Sequence, residues 1–385
     1  MRRGVATFTL DYGKCPPWLY QRMVKLGREI TRVLVEEYGP DEFIRRISDP
    51  VWFQSLGTVL AFDWNASGLT TILTAALKES IRGREKDLGV FIAGGKGKTS
   101  RKTPDEVTMW SERINMPEEQ ANKLVYNSKM AAKVDSSLIQ DGYQIYHHSL
   151  FFSKNGAWAV VQQGMNTDNQ TARRYHWFSE AVEDMTVEPH SGIASQLLPE
   201  KIDLNMTDKV TGKNKDIAVD LVNTSYNTII KDLEILRKHT TRFSRMAEVK
   251  VNNQQATLLQ LAPVEFGPAE HPVHKENFSK SKYLEKILQK LVYEKPQSYE
   301  ELLSKEGVGS KTIRALALVG EVIYNAPTSQ TDPARFSFAH GGKDATPYPV
   351  DTKTYDITIE VLRNAVNKAN LPLSDKKQAI KRLEA

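Results

Sequence analysis

The sequence predicts a chain of the α/β or α+β class, with a mixed sheet core and flanking helices, plus a C-terminal all-helical domain. Three observations predict this. Apolar runs at 56–62 and 88–93 bracket a helical pattern at 69–82, a β-α-β order. The stretches 143–152 and 157–163 face each other across Ser153-Lys154-Asn155-Gly156, and Asn-Gly is the favoured two-residue hairpin turn. Beyond residue 283, amphipathic patterns of helical period follow one another without a strand signal.

Taken in order, Gly4 to Leu10 alternates as a strand does. Pro16 and Pro17 open a helix whose face carries Leu19, Met23, Leu26, Ile30, Val33 and Leu34, and Gly39-Pro40 ends it. Ser48-Asp49-Pro50 marks another helix start. Leu56 to Phe62 reads as a buried strand ending at Asp63. After the strand at 88–93 comes a basic loop, Gly94 to Lys102, then helix to about Lys133. The polar stretch Asp203–Asp216 reads as a mobile insertion, and Asp216–His239 as one long helix. Pro263–Lys282, rich in Pro, Gly and charge, reads as a linker. Helices follow at 283–293, 299–305 and 311–324; the second opens on the capping box Ser298-Tyr299-Glu300-Glu301. Residues 326–351 are irregular, and Thr354 and Ser374 cap two terminal helices. There is no internal repeat. The expected boundaries are a core at 1–265, a linker at 266–282, a helical domain at 283–330, and an irregular segment with terminal helices at 331–385.

Composition narrows the class. Hydrophobic residues are 40% and charged residues 26%, an ordinary globular mix. No run approaches the roughly 18 apolar residues of a membrane span, and the N-terminus lacks a signal-peptide pattern. The one cysteine, Cys15, excludes an intrachain disulfide and a cysteine-rich zinc site, and it suits the cytoplasm. A net charge of +5 is compatible with nucleic acid without demanding it.

Local clusters say more. Lys305-Glu306-Gly307-Val308-Gly309-Ser310-Lys311-Thr312-Ile313-Arg314 reads as a helix-hairpin-helix. Gly307 and Gly309 permit a tight corner and close backbone approach, and the next helix aims its free N–H groups and dipole at a phosphate. Lys311, Thr312 and Arg314 would line that contact. The alternative is an ordinary packing corner with glycines at a helix C-cap. Lys96, Lys98, Arg101 and Lys102 put four cations and no acid into the loop 94–102, which suits phosphate contact or a solvated loop. It is not a P-loop, because the glycine needed five residues before Gly97 is absent. Arg173-Arg174 beside Tyr175 and Trp177 would hold nucleic acid by charge and stacking, or else pack in the core.

Asp63 would end a buried strand, where α/β sheets place ligands. It is either a Mg2+ or Mn2+ ligand or the N-cap of the next helix. Asp135 and Asp141 would complete a metal set, since two-metal phosphoryl transfer needs carboxylates converging from several elements. Otherwise each serves a turn. His147 and His148, adjacent in a strand, point to opposite faces, so only one could transfer protons at a given site, with His176 or His190 as a possible companion. Lys96, Lys98 or Arg101 would offset transition-state charge.

The chain also resembles an archaeal and bacterial family described as a domain of unknown function. The resemblance rests on Phe62-Asp63-Trp64 through Gly68-Leu69-Thr70-Thr71, Gly94-Gly95-Lys96-Gly97-Lys98, Ala132-Lys133-Val134-Asp135 and Gln140-Asp141-Gly142-Tyr143. It continues through Tyr146-His147-His148, Trp158 to Asn166, Ala172 to Trp177 and Phe338 to Asp344, and so spans nearly the whole chain. It implies no activity. Asn65-Ala66-Ser67 stands where the family carries His-Ser-Ser, so no role is carried over to position 65. A shorter likeness, a strand ending in Phe-Asp before Ser-Gly, resembles ribonuclease H-like nucleases and would make Asp63 the first metal ligand. The helical pattern at 69–82 departs from the strand expected there.

The sequence thus leads to an expected DNA-binding, Mg2+- or Mn2+-dependent phosphodiester hydrolase of repair or recombination. The alternatives are a non-catalytic nucleic-acid scaffold and a nucleotide-handling enzyme using Gly94–Lys98. Oligomeric state stays open.

Overall fold

A computed structural model describes residues 9–10, 15–60, 66–197, 199, 201–240, 248–251, 254–257, 281–335 and 352–384. Its centre is a five-stranded sheet in the order β1-β3-β4-β5-β6, antiparallel throughout. These strands are β1 Val90–Lys96, β3 Gln144–Ser153, β4 Trp158–Asn166, β5 Thr171–Phe178 and β6 His190–Ser195. A short strand β2, Ile139–Gln140, pairs with β7, Leu204–Asn205. The chain is therefore α+β.

Helices cover both faces. On one face lie α1 (Pro17–Tyr38), α2 (Pro40–Ile47), α3 (Pro50–Val59) and α4 (Ala66–Ser80). They share a core with Val90, Ile92, Phe151, Ala159, Val161 and Phe178 of the sheet. On the other lie α6 (Thr103–Arg113), α7 (Glu118–Ser137), α8 (Gly212–Asn223) and α9 (Tyr226–Thr240), against Phe91, Leu150, Phe152, Val160 and Trp177. The short α5 is Glu85–Leu88. The C-terminal helices divide between the layers. Those at Lys282–Glu294 (α10), Tyr299–Ser304 (α11) and Ser310–Tyr324 (α12) join the α7–α9 core. Those at Thr352–Lys368 (α13) and Leu373–Glu384 (α14) pack on α1 and α3. Strands β8 (Glu248–Val251) and β9 (Gln254–Thr257) pair with each other.

Three expected elements differ. Residues 56–59, expected in a strand, lie in α3. Asp49 caps that helix through Val51 N and Trp52 N, and Pro50 occupies its first turn. The run is apolar because α3 is buried nearly all round, and periodicity alone does not separate such a helix from a buried strand. Gly57 lets α4 approach closely, since a Cβ there would meet Leu69 Cδ1 at 2.5 Å. The expected insertion at 203–216 is built in: Met206, Thr207, Thr211 and Asn214 are buried, and Asn214 Nδ2 donates to the carbonyls of Ala317 and Ala326. The expected single helix at 216–239 is broken at Thr224-Ser225, where Ser225 Oγ accepts from Thr228 N. Asp63 and residues 261–280, most of the expected linker, lie outside the described residues.

At the end of β1, Gly94 adopts φ +87°, and a Cβ there would sit 2.3 Å from the carbonyl oxygen of His148 and 2.5 Å from Thr103 Oγ1. Gly94→Ala is expected to destabilise the fold by at least ~2 kcal/mol, from left-handed strain plus a backbone collision, as urea denaturation followed by circular dichroism would report.

Candidate functional site

Along β1, β3, β4 and β5, side chains change from apolar to polar at the same level on both faces. One rung of aligned residues runs Lys96–His147–Gln163–Arg174. These side chains face α3 and α4. Arg174 bonds Gln54 Oε1 and Thr70 Oγ1, and Gln163 Nε2 donates to Ser67 O. A bulge between Ile145 and His147 brings Tyr146 to the same side, where its hydroxyl accepts from Gln163 Nε2. His147 Nε2 lies 3.1 Å from Ser149 Oγ. Arg174 Nε approaches His176 Nε2 at 2.8 Å, and burial draws Arg174 down to about 9. Burial, aided by His148 and Lys96, holds His147 at about 3, so the ring is neutral.

That neutrality has a consequence for stability. Below pH 6.5 the unfolded chain protonates His147 while the folded ring does not, so stability falls as pH drops toward about 3. By pH 4.5 this group alone is expected to remove about 3 kcal/mol. Urea titrations at pH 7 and 4.5 should show a smaller pH difference for His147→Asn than for the wild type.

Beside this rung, the loop expected at 94–102 is a hook formed by the last residues of β1 and a 3-10 turn, Gly97–Lys102. It is anchored from within: Glu106 accepts from Gly94 N at 2.7 Å and from Lys78 Nζ at 2.6 Å. Lys96, Lys98, Arg101 and Lys102 are all exposed, and among the described residues none has a carboxylate partner. Lys96 Nζ stands 5.8 Å from the centre of the Tyr146 ring.

The opposite face is polar for another reason. Asp135, fully buried on α7, accepts from Gln162 Nε2 at 2.5 Å, Trp177 Nε1 at 3.0 Å and His190 Nε2 at 2.6 Å. Gln162 Oε1 then faces His148 Nδ1, and His148 Nε2 meets Ser128 Oγ at 2.7 Å. Both nitrogens of His148 are thus engaged, and burial lowers its pKa. Asp141 accepts from Arg173 Nη1, Tyr175 Oη and Tyr143 N. Burial pushes its carboxyl up against the pull of Arg173. Burial also opposes the Arg173 charge, but Asp141 and Asp332 outweigh it and raise its pKa.

The sheet therefore separates Asp135 and Asp141 from Lys96 and His147, so the structure does not assemble those four side chains into one centre. Among the described residues no group of three or more His, Cys, Asp or Glu side chains could hold a metal ion. Arg173 and Arg174 are fully buried and brace the sheet, and Tyr175 and Trp177 are core. In this conformation neither arginine reaches a nucleic-acid strand.

At the C-terminal corner, Gly307 has φ +88° and Gly309 is the N-cap of α12, with no side chain capping its first turn. A Cβ on Gly309 would meet nothing within 4 Å. Ser310 and Lys311 are exposed, Thr312 is buried, and Arg314 turns inward to Gln140 Oε1. Lys133 Nζ closes the end of α11 by donating to the carbonyls of Leu303 and Lys305, and burial lowers it to about 8.

The family model described as "Protein of unknown function (DUF763)" matches residues 4–350. The chain belongs to that family. No curated protein and no solved structure matched it. The match takes in the hook, the polar rung, the network around Asp135 and the hairpin corner. No described helix is long and apolar enough to cross a membrane.

Gln163 and Tyr146 entered the sequence reading only as members of matching stretches, and Asp332 lay in a segment read as irregular. One signal for the glutamines was present: Gln162-Gln163 follows Val160-Val161, so polar residues of both parities interrupt an apolar strand. That pattern marks a level at which both faces turn polar.

Proposed function

We propose that this protein binds nucleic-acid backbone, most readily DNA, through the hook and hydrolyses phosphodiesters beside it. The observation that carries this reading is the hook: four exposed cations with no acidic partner among the described residues, on an anchored turn next to a buried polar row. Charge so placed is suited to phosphate, and the glycine backbone lets a strand come close. The corner at Gly307–Lys311 would offer a second grip through the open first turn of α12.

The expectation of Mg2+ or Mn2+ now turns on Asp63, because Asp135 and Asp141 are saturated by protein donors on the far face. Without hydrolysis the same surfaces would make a scaffold whose binding persists in EDTA.

Lys98→Glu combined with Arg101→Glu is expected to weaken binding of a labelled oligonucleotide at least tenfold at low salt. The slope of log affinity against log salt should fall by about 2, one per lost phosphate contact. Unaltered affinity and slope would remove the hook from the interface. Cleavage is tested by incubating the wild type with labelled DNA in Mg2+, Mn2+ or EDTA, beside Asp63→Ala.

A further inference from the structure

Behind the hook lies a cavity of about 160 Å3, set between the end of α4, α5 and α6. It shares two walls with the hook's anchor. Lys78 Nζ donates to Gly94 O at 3.1 Å, Glu106 accepts from Gly94 N at 2.7 Å, and the two side chains pair at 2.6 Å. Buried Ile81 and Ile92 give the cavity an apolar floor, and half-buried Met109 and Trp110 continue it. Solvent reaches it, since Arg82 in its lining is 74% exposed. Size and chemistry narrow the occupant. A cavity of roughly 150 Å3 accepts one six-membered aromatic ring. Lys78 neutralises Glu106, but among the described residues the Glu85 carboxylate in the same lining has no hydrogen-bond or ion-pair partner. Such a carboxylate turns a phosphate away and accepts from N–H groups.

Placement joins the cavity to the cations. Lys102 stands at the N-cap of α6, and Glu106 and Trp110 follow at intervals of four, so the three share one helix face over about 12 Å. A strand with a phosphate on Lys102 thus passes the cavity. The Trp110 ring is tilted against Phe91 at 5.4 Å, and the exposed Arg113 guanidinium lies 5.0 Å from its centre, so two planar groups meet there that favour a flat partner. We propose that this cavity takes one unpaired base of a strand whose phosphates lie on the hook, with the ring against Trp110 and Met109 and its amino group on Glu85. This rests on the reading of the hook as a backbone-binding surface. The ligand is then single-stranded or locally opened nucleic acid, since a base inside a duplex offers neither its ring faces nor its pairing edge. A single ring that carries an exocyclic amino group is cytosine, and its N4 donates to glutamate. Thymine presents a carbonyl oxygen in that place, which the carboxylate repels.

The test measures binding of labelled strands to the full chain at low salt and neutral pH by fluorescence anisotropy. The wild type is expected to hold oligodeoxycytidine about tenfold more tightly than an abasic strand of the same length, and more tightly than oligothymidine. Trp110→Ala should lower the oligodeoxycytidine affinity about tenfold and leave that of the abasic strand within twofold. Glu85→Ala should erase the preference for oligodeoxycytidine over oligothymidine. Equal wild-type affinity for base-bearing and abasic strands would overturn the inference and leave the hook as a backbone grip. A folded Trp110→Ala variant that binds oligodeoxycytidine as the wild type does would overturn it too. Binding of neither strand would overturn both readings. Should Trp110→Ala not fold, Glu85→Ala decides: a preference for oligodeoxycytidine that survives this change would overturn the proposal.

Discussion

Arg173→Met is expected to lower folding stability by about 3–5 kcal/mol, because it removes one partner of a buried ion cluster and leaves two carboxylates behind. Arg173 Nη1 lies 2.9 Å from both Asp141 Oδ2 and Asp332 Oδ1, and Nη2 lies 2.8 Å from Asp332 Oδ2 and 3.1 Å from Leu197 O. Nε reaches Ser195 Oγ, and the guanidinium sits 4.8 Å from the centre of the Tyr143 ring. One side chain thereby ties β5 to the β2–β3 turn and to the segment at 331–335. Denaturant midpoints would measure the loss. Adding Asp332→Leu should recover part of it, since one stranded charge goes with its partner. Oligonucleotide affinity per folded molecule should not change. A drop there with stability preserved would show that Arg173 touches the ligand instead.

Asp135→Ala is the second large effect, again about 3–5 kcal/mol, for the opposite reason: three buried donors lose their common acceptor. The indole of Trp177, the amide of Gln162 and the ring of His190 all converge on this carboxylate. Asp135→Asn should recover part of the loss, because with its oxygen toward Gln162 and Trp177 the new NH2 can donate to His190 Nε2 in the other ring tautomer. The Gln162–His148–Ser128 chain should loosen with it, which hydrogen exchange on β3 and β4 would register. A variant within 1 kcal/mol of the wild type would mean that the network is not what holds α7 to the sheet.

Much of the architecture was legible in the residues, for identifiable reasons. The hairpin at 153–156, the capping box at Ser298 and the proline-led helix at Pro17 are local signals, and local chemistry decides them. Residues 56–59 were not legible, because a helix buried all round has no polar stripe to betray its period. The segment at 203–216 looked solvated because its polar groups meet their partners only in the tertiary structure, as Asn214 does. The candidate site divides in the same way. The cations of the hook and the opposite facing of His147 and His148 follow from composition and strand period. That Asp135 and Asp141 sit across the sheet from Lys96, and that Gln163 stands beside His147, depends on strand order and register, which one chain without an alignment does not reveal.

The rung has a last consequence, for how the chain assembles. Were β3 to shift by one residue against β4, His147 and Leu150 would exchange sides with His148 and Phe151. Both imidazoles would then be pressed onto the wrong helical layer, and His148 would forfeit its bonds to Ser128 of α7 and Gln162 of β4 together. The graded alternation thus works as a checksum on alignment: only the correct offset lets the greasy half and the wet half of both surfaces close at once.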